Sequence, residues 1–378
     1  MSDPPHQPAA RGEEEGARDA RVPRPGLSRR EFVVRGSQAA LLVGGGGGLG
    51  WLSGCGTARR GEIDLGQLAR EVSGPVIGPG DAGYGPARLL FNPSFDSARP
   101  RAVVFCQAPE DVAAAMRFAR RRGIALAPRA GGHSFGGYSA PDGAIVADVS
   151  RMRQVSVDRS GHGAVLGAGC LIDDVYSTLA RRGLTIPGGT CPTVAVSGLT
   201  LGGGFGFSSR KLGLAADNLL ELEVVTAAGE RLICSPDRHP DLFWACRGGG
   251  DGNFGIATSL RFRLHPVTDV AVYELSWRWN DAAAVLEAWQ RWAPEAPDEL
   301  FSTLNLARTG GPRPMGPTIT SQGQYFGPPG RLAALLEPVL SAARPIHRRI
   351  ASTSFLGGPA VVGGLLARAL PPARGQPL

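Results

Sequence analysis

Short apolar runs alternate with polar, turn-forming segments from about position 98 onward, and this pattern predicts regular secondary structure. Residues 101–106 (RAVVFC) and 124–129 (IALAPR) have the length and apolar content of buried strands. Between them, residues 109–123 predict a helix, because Pro109 stands at its start, acidic residues fill its first turn, arginines fill its last turn and a glycine follows. A strand, a helix and a second strand therefore open the folded part of the chain.

Further elements follow along the chain. A helix is predicted at residues 171–183, and a hairpin at 219–235 whose turn is Ala228 and Gly229. Additional strands are predicted at 144–150, 154–158 and 164–169. Because strands follow one another before and after isolated helices, the pattern favours an α+β fold over a doubly wound parallel sheet.

Three glycine-rich loops interrupt this pattern and carry the candidate chemistry. They are PRAGGHSFGGYS (128–139), IPGGTCPTVAVSGLTLGGGFGFSSRKLG (186–213) and CRGGGDGNFGIATSLRFRL (246–264). Glycine lets the backbone approach a ligand closely, and successive N–H groups of such loops can hold a phosphate. The nicotinamide-dinucleotide fingerprint is not met, because Phe207 stands where its third glycine is required. Three such loops predict one long enclosed cofactor, and a flavin dinucleotide fits this expectation better than a mononucleotide.

Composition and charge narrow the class of protein. The chain has 378 residues, of which 43% are hydrophobic and 19% charged, which is enough for a buried core and about two domains. The formal net charge is +7, but Lys211 is the only lysine and the arginines are scattered as pairs without a continuous basic stripe. A nucleic-acid-binding surface is therefore not indicated. No spacing of His, Cys, Asp and Glu predicts a metal site.

The first 60 residues are predicted to lie outside the fold. Residues 1–27 are polar and rich in proline and charge, a composition typical of disorder. Residues 28–56 resemble a twin-arginine export signal, because Arg29 and Arg30 precede a weakly apolar stretch that its glycine run makes a poor membrane-spanning helix. Cys55 ends a segment similar to a lipoprotein box. We therefore expect export by the twin-arginine machinery, to a secreted or lipid-anchored form.

Taken together, the loops resemble the FAD-binding half of the berberine bridge enzyme-like oxidases, within the vanillyl-alcohol oxidase or PCMH-type flavoprotein superfamily. The resemblance rests on PRAGGHSFGGYS, GGTCPTVAVSGLTLGGGFG and HPDLFWACRGGGDGNFGI in this order, and covers about residues 80–267. It implies a PCMH-type FAD-binding fold of two subdomains, followed by a partial α/β substrate domain with an antiparallel sheet and helices. The implied division is a linker (57–97), the FAD-binding domain (98–267), the partial substrate domain (268–357) and a tail (358–378).

The resemblance implies FAD held by two covalent bonds. In that family the histidine of the GGH motif bonds to the 8α-methyl group of the flavin and the cysteine of GGTCPT bonds to carbon 6; these positions are His133 and Cys191. Neutral imidazole and thiolate are the nucleophilic forms of these side chains. The other implied contacts, made mainly by backbone groups, involve Arg129, Ala130, Gly131, Gly132, Ser134, Gly189, Thr193, Val196, Ser197, Gly198 and Ile256.

Other roles stay open for these side chains from the sequence alone. A lone loop histidine can be a hydrogen-bonding surface group, and Cys191 could instead join a disulfide in an oxidising compartment. Cys106, Cys170, Cys234 and Cys246 fall in or near apolar elements, so we expect buried thiols there.

The implied reaction is oxidation of an alcohol, an amine or an activated C–H bond by hydride transfer to FAD, with oxygen as the acceptor. Substrates in the family range over sugars, alkaloids and polyketide glycosides, so the substrate class stays open. Tyr138 and Tyr325 are candidates for the catalytic base, although a tyrosine on an apolar strand is more often a packing residue. The rival hypothesis is a flavin-binding remnant without catalysis.

The end of the chain departs from the resemblance. Relatives return to the FAD domain with a segment that contains tyrosine and asparagine, whereas residues 358–378 are rich in Pro, Ala, Arg and Gly and show neither helix caps nor strand alternation. We therefore expect a frameshift near codon 358, and a chain that lacks oxidase turnover.

Overall fold

A computed structural model describes residues 63–307 and 316–357 of the chain. The predicted leader, the twin-arginine and lipoprotein segments and the expected change of frame near codon 358 lie outside the described residues. Within the described part, no helix combines the length and the apolar character needed to cross a lipid bilayer.

Strands and helices alternate irregularly along the described part. Its strands are β1 (Val76–Ile77), β2 (Ala102–Phe105), β3 (Leu126–Arg129), β4 (Ile145–Asp148), β5 (Val155–Val157), β6 (Gly163–Gly167), β7 (Leu184–Thr185), β8 (Leu219–Val225), β9 (Arg231–Cys234), β10 (Ile256–Arg263), β11 (His265–Pro266), β12 (Val270–Arg278), β13 (Leu300–Ala307), β14 (Thr318–Tyr325) and β15 (His347–Thr353). Its α-helices are α1 (Leu65–Glu71), α2 (Tyr84–Arg88), α3 (Pro109–Arg121), α4 (Ile172–Ala180), α5 (Val196–Leu201), α6 (Ser209–Leu212), α7 (Pro240–Cys246), α8 (Ala282–Glu295), α9 (Pro329–Leu335) and α10 (Glu337–Leu340).

The first sheet, with the strand order β1-β2-β4-β3, determines where the first glycine-rich loop begins. Strands β2, β4 and β3 run parallel, and β2 and β4 are buried at every position, as parallel strands covered on both faces should be. Helix α3 connects β2 to β3 and buries Val112 and Phe118 in the core. Arg129 at the end of β3 lies opposite Asp148 at the end of β4. Both side chains therefore stand at the carboxyl edge of the sheet, from which the loop departs.

A second sheet, β5-β6-β10-β8-β9, is antiparallel throughout. The first and second sheets, with the helices and loops between their strands, form the first region of the fold. The turn between β8 and β9 contains Gly229 at a φ of 81°, a left-handed conformation that suits glycine. Leu166, Leu222, Leu260 and Phe262 of this sheet lie in one hydrophobic core with residues of the first sheet. The α+β expectation is confirmed, with parallel pairing confined to the three strands of the first sheet among the described residues.

A third sheet, β13-β14-β12-β15, forms the second region of the fold and is also antiparallel. One face packs under helices α8, α9 and α10, where Tyr273, Trp277 and Leu332 form a separate core. The opposite face meets the first region through Val272 and Phe301, which pack into the larger core. The second region therefore has one face buried under its own helices and another face turned toward the glycine-rich loops.

The sequence pattern did not predict helix α5, which lies inside the second glycine-rich loop. Val196, Thr200 and Leu201 of this helix are buried, and the Thr200 hydroxyl donates a hydrogen bond to the Val196 carbonyl at 2.7 Å. Glycines on both sides conceal this short apolar turn in the sequence. Its stability comes from packing rather than from helix propensity, which is weak for such a segment.

Candidate functional site

One cavity of about 680 Å³ is lined by residues of all three glycine-rich loops. This volume lies within the range of roughly 300 to 1,000 Å³ that is usual for ligand and cofactor sites. The residues predicted from the sequence that line the cavity are Arg129, Ala130, Gly131, Gly132, His133, Ser134, Cys191, Ser197, Gly198 and Ile256.

Three of the predicted contact residues do not line this cavity. Val196 is fully buried beneath it in helix α5, and Gly189 is buried, with its carbonyl accepting a hydrogen bond from the Tyr176 hydroxyl at 3.0 Å. Thr193 is half-buried, and its hydroxyl oxygen lies 2.9 Å from Nε2 of His133. These residues therefore stand behind the cavity wall.

His133 is held on two sides. Its ring stacks on that of Phe91, with centroids 4.3 Å apart and planes inclined by 21°, while its Nε2 edge meets the Thr193 hydroxyl. The backbone N–H of Phe91 also donates to the carbonyl of Gly132 at 3.0 Å, which ties the segment before β2 to the first glycine-rich loop. Burial lowers the pKa of His133 below its ordinary value, although a hydrogen bond with the Thr193 backbone acts in the opposite direction. The site thus favours the neutral, nucleophilic imidazole.

Cys191 differs from the other described cysteines. It is half-buried, lines the cavity, and its Sγ lies 3.8 Å from the Thr193 hydroxyl oxygen. The prediction of buried thiols at the other four positions is confirmed, and burial raises the pKa of Cys170 and of Cys246 to about 11. Among the cysteines that the structure describes, none forms a disulfide. Cys191 is therefore the thiol placed to react with a bound ligand.

Two glycines let the three loops come together. A Cβ on Gly131 would lie 2.7 Å from the backbone nitrogen of Ala195 and 3.0 Å from the carbonyl oxygen of Thr193, so a side chain there would push the second loop away. Gly252 of the third loop has a φ of 85°, and a Cβ on it would lie 2.2 Å from Cγ of Pro128. The close approach of the loops, and with it the cavity, requires glycine at both positions.

A buried charged group lies at the base of the first loop. Arg129 forms an ion pair through Nε with Asp148, and both side chains are only 3% exposed. The Nη1 atom of Arg129 is buried and has no hydrogen-bond partner among the described residues. A buried donor without a partner is unfavourable, so this one indicates an acceptor supplied from outside the polypeptide.

Comparison with known proteins agrees with this geometry. The profile of a family described as FAD binding domain matches residues 100–235. The uncharacterized FAD-linked oxidoreductase YgaK of Bacillus subtilis (strain 168) is 36% identical over 290 residues, which cover 76% of this chain and 63% of the relative. Xylooligosaccharide oxidase of Thermothelomyces thermophilus is 34% identical over 253 residues, 64% of this chain and 49% of that protein.

Among solved structures, wild-type BBE-like 1 of Physcomitrella patens superposes with a TM-score of 0.73 at 32% identity, covering 80% of this chain and 65% of that one. The chain carries an FAD binding domain and is similar to the berberine bridge enzyme-like flavoproteins. It spans 63% of the length of YgaK and 65% of the BBE-like 1 chain, so the activity of a whole relative is carried over below only as a proposal.

The residues of this chain fit FAD. The cofactor carries an anionic pyrophosphate, and Arg129 offers a buried cation whose Nη1 donor has no partner within the described residues. Glycine backbone lines much of the cavity, which suits close approach to a phosphate, and Leu199, Leu201 and Val194 provide an apolar wall for a ring.

Sequence reasoning missed several cavity residues of this flavoprotein. Phe91 precedes the first glycine-rich motif, and only its ring contact with His133 shows its part in the site. Asp251 and Gly252 lie in the third loop, which was recognised as a cluster without these residues being singled out. Of the two tyrosines considered as bases, Tyr138 is exposed and lines the cavity, whereas Tyr325 is buried in the core of the second region.

Proposed function

We propose that this protein is an FAD-dependent oxidase that holds its cofactor through His133 and Cys191. The observation that carries the proposal is that these two side chains, 58 positions apart in the sequence, line one cavity and approach the same Thr193 hydroxyl, at 2.9 and 3.8 Å. Bound FAD would supply the acceptor for a hydride from the substrate and pass the electrons to oxygen. Arg129 and the glycine-rich loops would hold its pyrophosphate.

Formation of each covalent bond to the flavin is a two-electron oxidation, and dioxygen can serve as the oxidant. His133 would form a bond from a ring nitrogen to the flavin methyl carbon, and Cys191 a bond from sulfur to a ring carbon. In each case one hydrogen leaves the flavin carbon and one leaves the side chain, and dioxygen accepts both with their two electrons as hydrogen peroxide. The lowered pKa of His133 supports this role, because it keeps the imidazole unprotonated.

The third sheet supports a substrate with several hydroxyl groups, such as a sugar. Thr303, Gln322, Glu274 and Arg349 lie directly across from one another on β13, β14, β12 and β15, so their side chains share one face. It is the face whose Val272 and Phe301 meet the first region. Such a row of hydroxyl, amide and ionic groups matches a polyhydroxylated ligand, and the xylooligosaccharide oxidase named above acts on a substrate of this class.

The tether proposal is tested by acid precipitation of the full-length protein. We expect the yellow colour to stay with the wild-type pellet, and to stay also with His133→Ala and with Cys191→Ala, because each variant keeps one bond. The double variant should release its flavin into the supernatant. Release of all flavin from the wild-type protein would refute the covalent attachment.

The reaction is tested by oxygen consumption with three substrate classes: oligosaccharides, simple secondary alcohols and cyclic amines. We expect turnover with oligosaccharides and release of hydrogen peroxide. If a sugar bleaches the flavin but no oxygen is taken up, the activity would be that of a dehydrogenase and not of an oxidase. A flavin that no substrate bleaches would favour the rival hypothesis of a flavin-binding protein without catalysis.

We also propose export in the folded state, since FAD is inserted in the cytoplasm and Arg29 and Arg30 match a twin-arginine signal. Lysine at both positions should keep the protein inside the cell. Unchanged export of that variant would contradict the proposed route, and labelling with a radioactive fatty acid would decide whether Cys55 is lipidated.

A further inference from the structure

The Thr193 hydroxyl occupies a position that the binding of FAD by itself does not explain. Thr193 does not line the cavity, yet its Oγ1 contacts Nε2 of His133 at 2.9 Å and Sγ of Cys191 at 3.8 Å. A hydroxyl has one proton and two lone pairs, so it can accept a hydrogen bond from the imidazole and make a second one with the thiol. A single side chain can thus hold both of the proposed attachment groups.

The contact determines which imidazole nitrogen is free. The Nε2 atom of His133 lies 2.9 Å from the threonine hydroxyl oxygen, within hydrogen-bond distance. A neutral imidazole carries one proton, and the hydrogen bond made by one nitrogen determines the state of the other. When Nε2–H donates to Oγ1, the lone pair remains on Nδ1. Stacking on Phe91 fixes the plane of the ring, so the hydroxyl and the phenyl ring together orient this nitrogen.

The backbone places Thr193 for this contact. Its carbonyl oxygen would lie 3.0 Å from a Cβ on Gly131, two residues before His133, so the two loops touch at this point. The backbone N–H of Val194 donates to the carbonyl of Cys191 at 3.3 Å, which closes a tight turn around Thr193. The turn fixes the spacing between the threonine hydroxyl and the thiol.

We propose that Thr193 is the positioning residue for covalent attachment of FAD: its hydroxyl accepts a hydrogen bond from Nε2–H of His133, leaves the lone pair of Nδ1 for the attack, and keeps the Cys191 thiol beside it. This proposal rests on the proposed function, because it presupposes the two bonds. The effect on His133 should exceed that on Cys191, because the contact to nitrogen is a hydrogen bond of ordinary length, whereas sulfur is a weak partner.

The test measures how fast each bond forms in the full-length protein. Cells expressing the chain are starved of riboflavin and then given riboflavin, and the visible absorbance of acid-precipitated protein is followed with time. The Cys191→Ala background reports on the histidine bond and the His133→Ala background on the cysteine bond. Each background carries Thr193→Val, Thr193→Ser or, as a matched control, Thr200→Val, which removes a hydroxyl bonded only to its own helix.

We expect Thr193→Val to slow the histidine bond roughly tenfold, the effect of about one lost hydrogen bond, and to slow the cysteine bond less. Thr193→Ser should stay within about twofold of the parent rate, because it keeps the hydroxyl, and Thr200→Val should match the parent. If Thr193→Val does not accumulate as folded protein, Thr193→Ser against Thr193→Ala provides the same comparison.

Two outcomes overturn the proposal and can be told apart. Thr193→Val with the parent rate in both backgrounds, or Thr193→Ser as slow as Thr193→Val, would refute the positioning role while the covalent attachment stands. Complete release of flavin from the wild-type protein would refute the attachment and the positioning role together.

Discussion

The first and second regions of this fold present their polar groups in different ways. In the first region the candidate cofactor contacts come from three glycine-rich loops, the first of which leaves the end of β3, and much of the surface they offer is glycine backbone. In the second region the polar groups are side chains in the middle of β12, β13 and β14. A cofactor that is the same in every member of a family can be held by backbone, whereas a substrate that varies must be distinguished by side chains. We infer that the two regions divide these tasks.

Buried charge shows the same contrast. Arg129 and Asp148 in the first region are almost completely buried. In the second region Glu274 is 13% exposed, and its partners His347 and Arg349, at 3.8 and 3.9 Å, are about half exposed. The first pair has lost its hydration, whereas the second set is partly solvated. Breaking the first pair should therefore destabilise the protein far more than changing the second set.

The largest expected effect is that of Asp148→Asn. It removes the carboxylate that pairs with the buried Arg129 guanidinium, so we expect the free energy of unfolding in urea to fall by about 3 to 5 kcal/mol. The control is Glu287→Gln, which removes an exposed ion pair with Arg291 on helix α8 and should change stability by at most about 0.5 kcal/mol. Equal losses in the two variants would contradict the contrast between the regions.

A smaller effect is expected for Gly131→Ala. Its new methyl group would press on the backbone of the second loop, so we expect a loss of about 1 to 3 kcal/mol in the free energy of unfolding and slower flavin attachment. Gly330→Ala in helix α9 of the second region is the matched control, since a Cβ there meets nothing within 4 Å. It should be neutral or stabilise by up to about 1 kcal/mol. If both variants behave alike, the close approach of the loops is not what glycine provides at position 131.

The contrast also explains how much could be predicted from the sequence. His133 and Cys191 could be found because glycine and proline surround them in short motifs, and α3 could be found because its caps lie next to it in the sequence. The row of Thr303, Gln322, Glu274 and Arg349 could not, because the four residues meet only through strand register. Phe91 and the role of Thr193 were missed for a similar reason, since their contacts with His133 span 42 and 60 positions in the sequence.

Gln324→Met should separate stability from substrate recognition. Gln324 lies opposite Val272 and Phe301, is 1% exposed, and its Oε1 atom has no hydrogen-bond partner among the described residues. An unsatisfied buried carbonyl destabilises a protein by about 1 to 3 kcal/mol, so methionine, with a similar volume, should leave the free energy of unfolding unchanged or raise it by about 1 kcal/mol. If the amide serves the substrate, KM should rise at the same time. A clear loss of stability would show that the amide is satisfied within the fold.

The smallest effect concerns His265, which lies in β11 and pairs with Thr185 of β7. Its Nε2 is 2.6 Å from Oδ1 of Asn218, an oxygen that only accepts, so Nε2 carries the proton. Burial, and secondly the charge of Arg263, lower the pKa of His265 below its ordinary value near 6.5. The unfolded chain therefore takes up the proton more readily than the folded one. The stability that this difference provides is fully present above pH 6.5 and is lost as the pH falls toward the folded pKa.

Between pH 7 and 5.5 the wild-type free energy of unfolding should thus decline more steeply than that of His265→Gln, by at most about 1.4 kcal/mol per pH unit. His133 titrates in the same direction in both proteins, so the quantity to measure is the difference between the two slopes. From pH 7.5 to 8.5, where imidazole is neutral in both states, the two curves should run parallel, and parallel curves below pH 7 as well would show that folding does not disfavour the charge on His265.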